Sequence, residues 1–236
     1  MAFVPEEAGP LHGRTVIVID VIRATTSLLL MLERGCAEVL ILPTVDAARH
    51  YREAHPEVLL AGEQRGLAPV GFDFGNSPEA FAHATLDGRR VAFATTNGTR
   101  AVHAATDAAA VFLGCLRNRT AAARAAGAVA SGSGAGLCIV CAGRDGAFSL
   151  DDAYTAGAIV DAVVGSSPDV HATDAALAAR LLYRSVTDPA ALFRQTRAGR
   201  NVIEIGLGGD LAYCASIDQS TLVPKVGERV QVVKSV

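Results

Sequence analysis

No uncharged apolar run in this sequence of 236 residues approaches the ~20 needed to span a bilayer, which argues against a membrane-spanning role. The N-terminal stretch "MAFVPEEAGPLHG" lacks the apolar core of a signal peptide, so no secretion signal is expected. Long runs of lysine or arginine are absent too, and the formal net charge is −3. That excludes a broad nucleic-acid-binding or anionic-membrane surface; an anionic ligand would have to be held by local arginines and backbone N–H groups. With 19% charged residues, wholesale disorder is excluded as well. The five cysteines are odd in number and irregularly spaced, the pattern of reduced thiols in a cytoplasmic protein rather than of a disulfide framework. Cys138 and Cys141 form a C-x-x-C, but "LCIVCAG" reads as an apolar strand, whose residues three apart point to opposite faces; two buried thiols are expected, not a redox turn. The six histidines show neither metal-ligand spacing nor a His–Asp–Ser arrangement, and no G-x-S-x-G, P-loop or G-x-G-x-x-G stands at a strand–helix junction.

Half of the residues are hydrophobic, enough to bury the core of one large domain or of two intimate halves. Aliphatic runs alternate with helical patterns. "TVIVID", "EVLILP", "EVLLAG", "RVAFATT", "AVFLG" and "LCIVCAG" read as strands. "ATTSLLLMLERG", stopped by Gly35, and "TVDAARHYREAH", capped by Thr44 or Asp46, read as helices. So do "SPEAFAHA", with Ser77 as N-cap and Pro78 at the first turn, "GTRAVHAAT", "RTAAARAAGAVA" and "LDDAYTAGAIVDAVV". After a joint at "GSSPD", residues 173–205 suggest two helices, the second begun by Pro189, and "DLAYCASID" and "LVPKVGERVQVV" suggest strands. The expected fold is α/β: a layered α/β/α arrangement around a mostly parallel or mixed sheet, as a single domain over 1–236 with a subdomain edge near 165–169. "VIDVIRATTS", "FATTNGTRA" and "IVCAGRDGAFS" echo one another weakly, which suggests two similar halves.

Chemistry concentrates where these strands end. In open α/β sheets ligands bind beyond the carboxyl ends of the strands, and the echoing segments place threonines, glycines and arginines there. Helix N-termini, hydroxyls and guanidinium forks are the parts of an anion site. In "TTNGT", Gly98 allows close backbone approach, beside Asn97 and Thr99; helix capping is the structural alternative for such threonines. Asp20, Glu63, Asp73 and Asp145 follow strands, and four carboxylates at one sheet edge would repel one another unless a cation sat among them. Oxygen-only donors suit Mg²⁺ rather than zinc. Arg23, Arg65, Arg100 and Arg144 lie beside the same loops as a candidate anion clamp. Ser149 reads as the cap of a box with Asp152, with Asp151 and Asp152 favoured by the helix dipole.

The motifs "VIDVIRATTS", "GE" followed by "GFDFGNSP", "TTNGTRA", "CAGRDGAFSLDDAYTAGAIVD" and "IGLGGDLAYCASID…VP", in that order over about residues 14–224, resemble the 2-phosphosulfolactate phosphatase family. The resemblance implies a Mg²⁺-dependent phosphatase that hydrolyses 2-phosphosulfolactate, or a related small anionic phosphomonoester, to sulfolactate and phosphate, a step in coenzyme M synthesis. It carries over Asp20, Arg23, Glu63 and Asp145 as catalytic residues and Thr25, Thr26, Asn76, Asn97, Gly98 and Thr99 as substrate contacts. Asp20, Glu63, Asp73 and Asp145 are carried over as metal ligands. Where the family has an arginine and paired glycines before Lys-Pro, this chain reads "QRGLAP", which moves the arginine to Arg65 and removes the lysine. Two alternatives stand beside this reading. One is a haloacid-dehalogenase-like phosphatase, whose second aspartate would fall at Ile22. The other is a non-catalytic binding module for a phosphorylated or sulfonated metabolite. The expected partner is a small anionic molecule, not nucleic acid or membrane, and homo-oligomerisation is left open.

Overall fold

Eight strands and ten α-helices follow one another in the computed structural model, which describes residues 1–167, 169–227 and 230–234. The first two-thirds of the chain alternate as the sequence suggests: β1 (Thr15–Ile19), α1 (Ala24–Glu33), β2 (Glu38–Ile41), α2 (Val45–Ala54), β3 (Leu59–Gly62), α3 (Pro78–His83), β4 (Arg90–Ala94), α4 (Gly98–Ala104), β5 (Ala110–Gly114), α5 (Arg119–Ser133), β6 (Leu137–Cys141) and α6 (Leu150–Ser166). The caps explain several boundaries. Thr44 and Ser77 each accept the backbone N–H three residues on, and Gly35 follows α1 with φ 79°.

The remainder departs from the sequence reading. Residues 173–205 form three helices, α7 (Asp174–Ser185), α8 (Pro189–Gln195) and α9 (Arg197–Glu204), because Thr196 ends one and caps the next through its hydroxyl. "DLAYC" is not a strand but α10 (Asp210–Cys214); its buried residues Asp210, Leu211 and Cys214 follow helical rather than alternating spacing. The tail is a hairpin of β7 (Leu222–Val226) and β8 (Val230–Lys234).

The strands join in the order β3-β4-β2-β8-β7-β5-β1-β6. Within β3-β4-β2 and within β5-β1-β6 the pairing is parallel. Three antiparallel ladders (β2/β8, β8/β7 and β7/β5) separate these blocks, so the blocks run in opposite senses. The order is palindromic about the hairpin, with β3 answering β6, β4 answering β1 and β2 answering β5. This is the pair of similar halves suggested by the echo.

Alternate residues explain how the halves come together. Val16, Val18, Val111, Leu113, Cys138 and Val140 share one core with Val39, Ala61, Val91 and Phe93 of the other block, and with α1 and α4. The inner faces of both blocks therefore meet across these helices, and α1 is buried from Ala24 to Leu32. A helix apolar on every side belongs in such a place. Outer faces are covered separately: Ile17, Ile19, Phe112, Ile139 and Cys141 with α5–α10, and Leu60, Ala92 and Ala94 with α2. Cys138 and Cys141 thus face opposite ways, and all five thiols are free and buried. No helix among the described residues is long and apolar enough to cross a membrane.

Helix α7 lies close against α6 at Gly157, where an added Cβ would stand 1.9 Å from the Ala179 carbonyl oxygen. Gly157→Ala is expected to force the pair apart and cost about 1–3 kcal/mol or more, read as a fall in the urea midpoint.

Candidate active site

The turn from β1 into α1 is built by its threonines. Thr25 Oγ1 donates to the Asp20 carbonyl at 2.9 Å and Thr26 Oγ1 to the Val21 carbonyl at 2.9 Å. Both hydroxyls are consumed by the backbone, and neither residue lines the cavity described below. Neither residue caps α1, which has no side-chain cap bond, and the structure does not bring either hydroxyl to the cavity with the other expected substrate contacts. Their effect is indirect: they fix the turn that presents Asp20 and Arg23. The Asp20 carboxylate accepts the Ala24 N–H. Arg23, only 4% exposed, donates to Asp210 Oδ2 at 2.9 Å and to the Gly66 carbonyl at 2.6 Å. The peptide bond between Ile22 and Arg23 is cis.

The loops after β3 and β6 are copies of each other. Gln64 and Leu67 exchange backbone bonds of 2.9 and 3.3 Å around Arg65 (φ 57°) and Gly66 (φ 87°). Arg144 and Ala147 do the same at 2.9 Å around Asp145 (φ 52°) and Gly146 (φ 76°). Positive φ at both central positions makes each a type I′ turn. One turn carries an arginine at its tip and the other an aspartate.

Glu63 clasps neighbouring loops, accepting from Gly66 N at 2.7 Å and Thr96 N at 2.8 Å. Asn97 Oδ1 accepts from Asp145 N at 3.3 Å, which ties the β4 loop of one block to the β6 loop of the other. Gly98 is required by proximity, since a Cβ there would lie 2.7 Å from Ala24 Cβ and 2.8 Å from Asp20 Oδ2. Thr99 turns inward, its hydroxyl accepting from Thr95 N at 2.9 Å, so Thr95 rather than Thr99 reaches the cavity.

These loops enclose a cavity of about 310 Å³. Asp20, Arg23, Glu63, Asn76, Asn97 and Asp145 line it, as do Arg65 and Arg144. Asp73 does not: its Oδ2 is held by Arg52 Nη1 at 2.6 Å and Leu60 N at 2.7 Å, beside β3, so the structure does not bring it together with Asp20, Glu63 and Asp145. Arg100 faces Glu6 at 3.6 Å instead of joining the clamp. A larger hollow, about 900 Å³, runs between α5, α6 and residues 169–176, but its walls are mainly apolar and hold no such gathering of opposed charges.

The sequence reading missed four residues. Asp151 and Asp152, assigned there to the α6 cap, are each 2% exposed and line the cavity. The capping box is not formed: Ser149 Oγ donates to Asp151 Oδ1 at 2.8 Å. Asp152 instead accepts from Val21 N at 2.9 Å and Gly143 N at 3.1 Å, joining the ends of β1 and β6. Asn201 of α9 also lines the cavity, and Asp210 of α10 lies behind Arg23. Adjacent acids at the start of an apolar helix were the available signal for the first two. No local pattern could have revealed that α9 and α10 return to the site.

Three buried carboxylates in one place disturb one another. Asp20 is pushed up to about 7, mainly by burial, then by the charges of Asp151 and Glu63, with the Ala24 N–H and Arg23 opposing. Burial also raises Asp151, and raises Asp152 well above the ordinary carboxylate range with help from Asp151 and Asp20. Two polar atoms at the cavity are buried without a hydrogen bond among the described residues, Asn76 Oδ1 and Arg144 Nε, the latter 4.0 Å from Asp145 Oδ2. The oxygen donors and surplus negative charge suit a hard dication in kind. Among the described residues, however, no three His, Cys, Asp or Glu side chains are grouped so as to hold a metal ion by themselves.

Residues 3–229 match the family described as 2-phosphosulpholactate phosphatase. A probable 2-phosphosulfolactate phosphatase of Deinococcus radiodurans is 44% identical over 209 residues, 88% of this chain and 85% of that protein. One of Thermus thermophilus is 39% identical over 91% of this chain and 89% of its own length. One of Clostridium acetobutylicum is 32% identical over 90% and 89%. With a match over nearly its whole length and relatives aligned over 85–91% of either chain, the chain belongs to the 2-phosphosulfolactate phosphatase family.

Proposed function

We propose that this protein is a Mg²⁺-dependent phosphatase that hydrolyses 2-phosphosulfolactate, or a closely related small phosphomonoester, to the free alcohol and phosphate. The observation that carries the reading is the opposition, within one small cavity, of the buried carboxylates Asp20, Asp151 and Asp152 to the guanidinium groups of Arg23, Arg65 and Arg144. Family membership supplies the substrate class.

Phosphoryl transfer asks chiefly for positive charge around the peripheral oxygens and for a fixed line of attack. Arg23 is held rigidly at the cavity floor and retains N–H groups beyond the two it gives to Asp210 and Gly66. Arg65 and Arg144 stand on the two turns around it. Mg²⁺ commonly takes one or two carboxylates together with substrate phosphate and water, so the lack of a three-carboxylate group does not oppose its binding. Asp20 and Asp151 would hold it, and it would supply Lewis-acid charge neutralisation. Asp152 bridges the ends of β1 and β6 and keeps Asp20 and Arg23 in register. Glu63 keeps the β3 and β4 loops closed beside them.

The direct test is phosphate release from a panel of phosphomonoesters including 2-phosphosulfolactate, with Mg²⁺ and with EDTA. Release that needs the metal and falls about 10²–10⁴-fold in Asp20→Asn is expected. Tight ligand binding without release would instead establish a binding module. Net retention of configuration at phosphorus, from two in-line displacements, would identify a covalent aspartyl-phosphate on Asp20, and inversion, from one, would identify direct attack by water. Asp73→Asn is expected to keep activity within about twofold while lowering stability by about 0.5–1.5 kcal/mol, through its contacts with Arg52 and Leu60.

Burial of Asp20 also gives a stability signature. Its folded-state value of about 7 lies above the ordinary 3.8, so between those values the folded chain keeps a proton that the unfolded chain has lost. The stability that depends on this proton is present at acid pH and is lost as pH rises through that window. In metal-free protein, Asp20→Asn should raise the melting temperature relative to wild type, by a margin that grows from about pH 4 to about pH 7 and then levels. Added Mg²⁺ should stabilise the wild type more than the variant. A margin independent of pH would refute the buried-charge account.

A further inference from the structure

We infer that Asp210 is a positioning residue for anion binding: through its ion pair it aims the Arg23 guanidinium into the cavity. The inference rests on Arg23 being an anion-binding group of the proposed site. Asp210 is 0% exposed and belongs to α10, remote in sequence from the loops that build the cavity. Its Oδ2 accepts from Arg23 Nη1 at 2.9 Å. Its Oδ1 accepts from Ser77 Oγ at 2.5 Å and from Glu79 N at 3.1 Å, which fixes the carboxylate against the start of α3. The remaining anchor of Arg23 is the Gly66 carbonyl at the tip of the β3 turn. Both terminal nitrogens of the guanidinium are thereby anchored, Nη1 on Asp210 and Nη2 on Gly66, and its other N–H groups remain for a ligand.

An arginine can be placed by a carboxylate or merely neutralised by it, and the two roles have opposite consequences. If Asp210 only dampens the charge of Arg23, removing its negative charge strengthens anion binding. If it positions the fork, removing it weakens anion binding, because the freed side chain must be ordered afresh for each ligand. A buried charge pair with further hydrogen bonds on both partners is a fixed geometry, and its value lies in pre-organisation more than in net attraction.

The test is calorimetric titration of the full chain with inorganic phosphate. Asp210→Asn keeps the shape and removes the charge; it is expected to weaken phosphate binding about tenfold. In an Arg23→Met background the same change should alter the residual affinity less than about twofold, although thermal stability falls in both backgrounds. Arg23→Lys keeps the charge and loses the fork. It should weaken phosphate binding to a similar extent, which serves should Asp210→Asn fail to fold. Tighter binding in Asp210→Asn, equal losses with and without Arg23, or undiminished binding in Arg23→Lys would overturn the inference. Phosphate binding that depends on Arg23 and Asp210 in a chain hydrolysing no phosphomonoester would overturn the phosphatase reading and leave this one supported.

Discussion

Three carboxylates buried within reach of one another are a standing cost to this fold. Each loses hydration, each raises the free energy of the others' charged forms, and the nearby Arg23 is already committed to Asp210. Such a cluster persists where the surrounding structure over-determines it. Here the over-determination is visible. Asp20 receives the Ala24 N–H, Asp152 receives two backbone N–H groups from separate strand ends, and Asp151 receives the Ser149 hydroxyl. The hydrogen bonds hold the acids in place without neutralising them. The cost of their shared charge appears instead as a raised proton affinity at one point of the molecule.

The topology explains why the acids meet at all. A parallel block gathers its active loops at its own carboxyl end. Two such blocks running in opposite senses on a flat sheet would send their loops apart. Here both inner faces share a core with α1 and α4, so the halves close on one another, and the β3 and β4 loops of one half reach the β1 and β6 loops of the other. The contacts at Gly98 mark how close that approach is. Catalytic geometry and core packing are consequently coupled: a change in how α4 rests on β1 moves the walls of the cavity.

Most of the α/β alternation was legible in the sequence because buried strands and capped helices carry local signals, as at Thr44, Ser77 and Gly35. The site was legible in part for the same reason. Asp20, Glu63, Asn97 and Asp145 sit at strand ends, and position in a parallel unit is a local property. What escaped was non-local. Asp73 also follows a strand and falls in a family motif, yet Arg52 and the β3 backbone take it away from the cavity. Thr25, Thr26 and Thr99 look like anion donors until their hydroxyls are seen on the backbone. Asp151 and Asp152 look like ordinary helix-start acids until their burial is known. α10 was misread as a strand because its helical spacing shows only in which residues are buried, one of them the charged Asp210, and with that error Asp210 was lost.

The duplicated turns suggest how an asymmetric site can arise from near-symmetric halves. Both place a residue of positive φ at the same point of a type I′ turn, beyond corresponding strands. The β3 turn presents Arg65 there, with its neighbouring carbonyl on Arg23. The β6 turn presents Asp145, bonded through its N–H to Asn97 and paired with Arg197 at 3.2 Å. One scaffold, used twice, therefore carries a guanidinium at one tip and a carboxylate at the other, while Arg144 beside Asp145 keeps positive charge on the second turn as well. Arg23 stands near enough to Asp20 to oppose the rise in its proton affinity, so the two signs of charge are interleaved around the cavity. With like residues at both tips either the Asp145 carboxylate or the Arg65 guanidinium would be missing, and the cavity would lose part of its mixed charge.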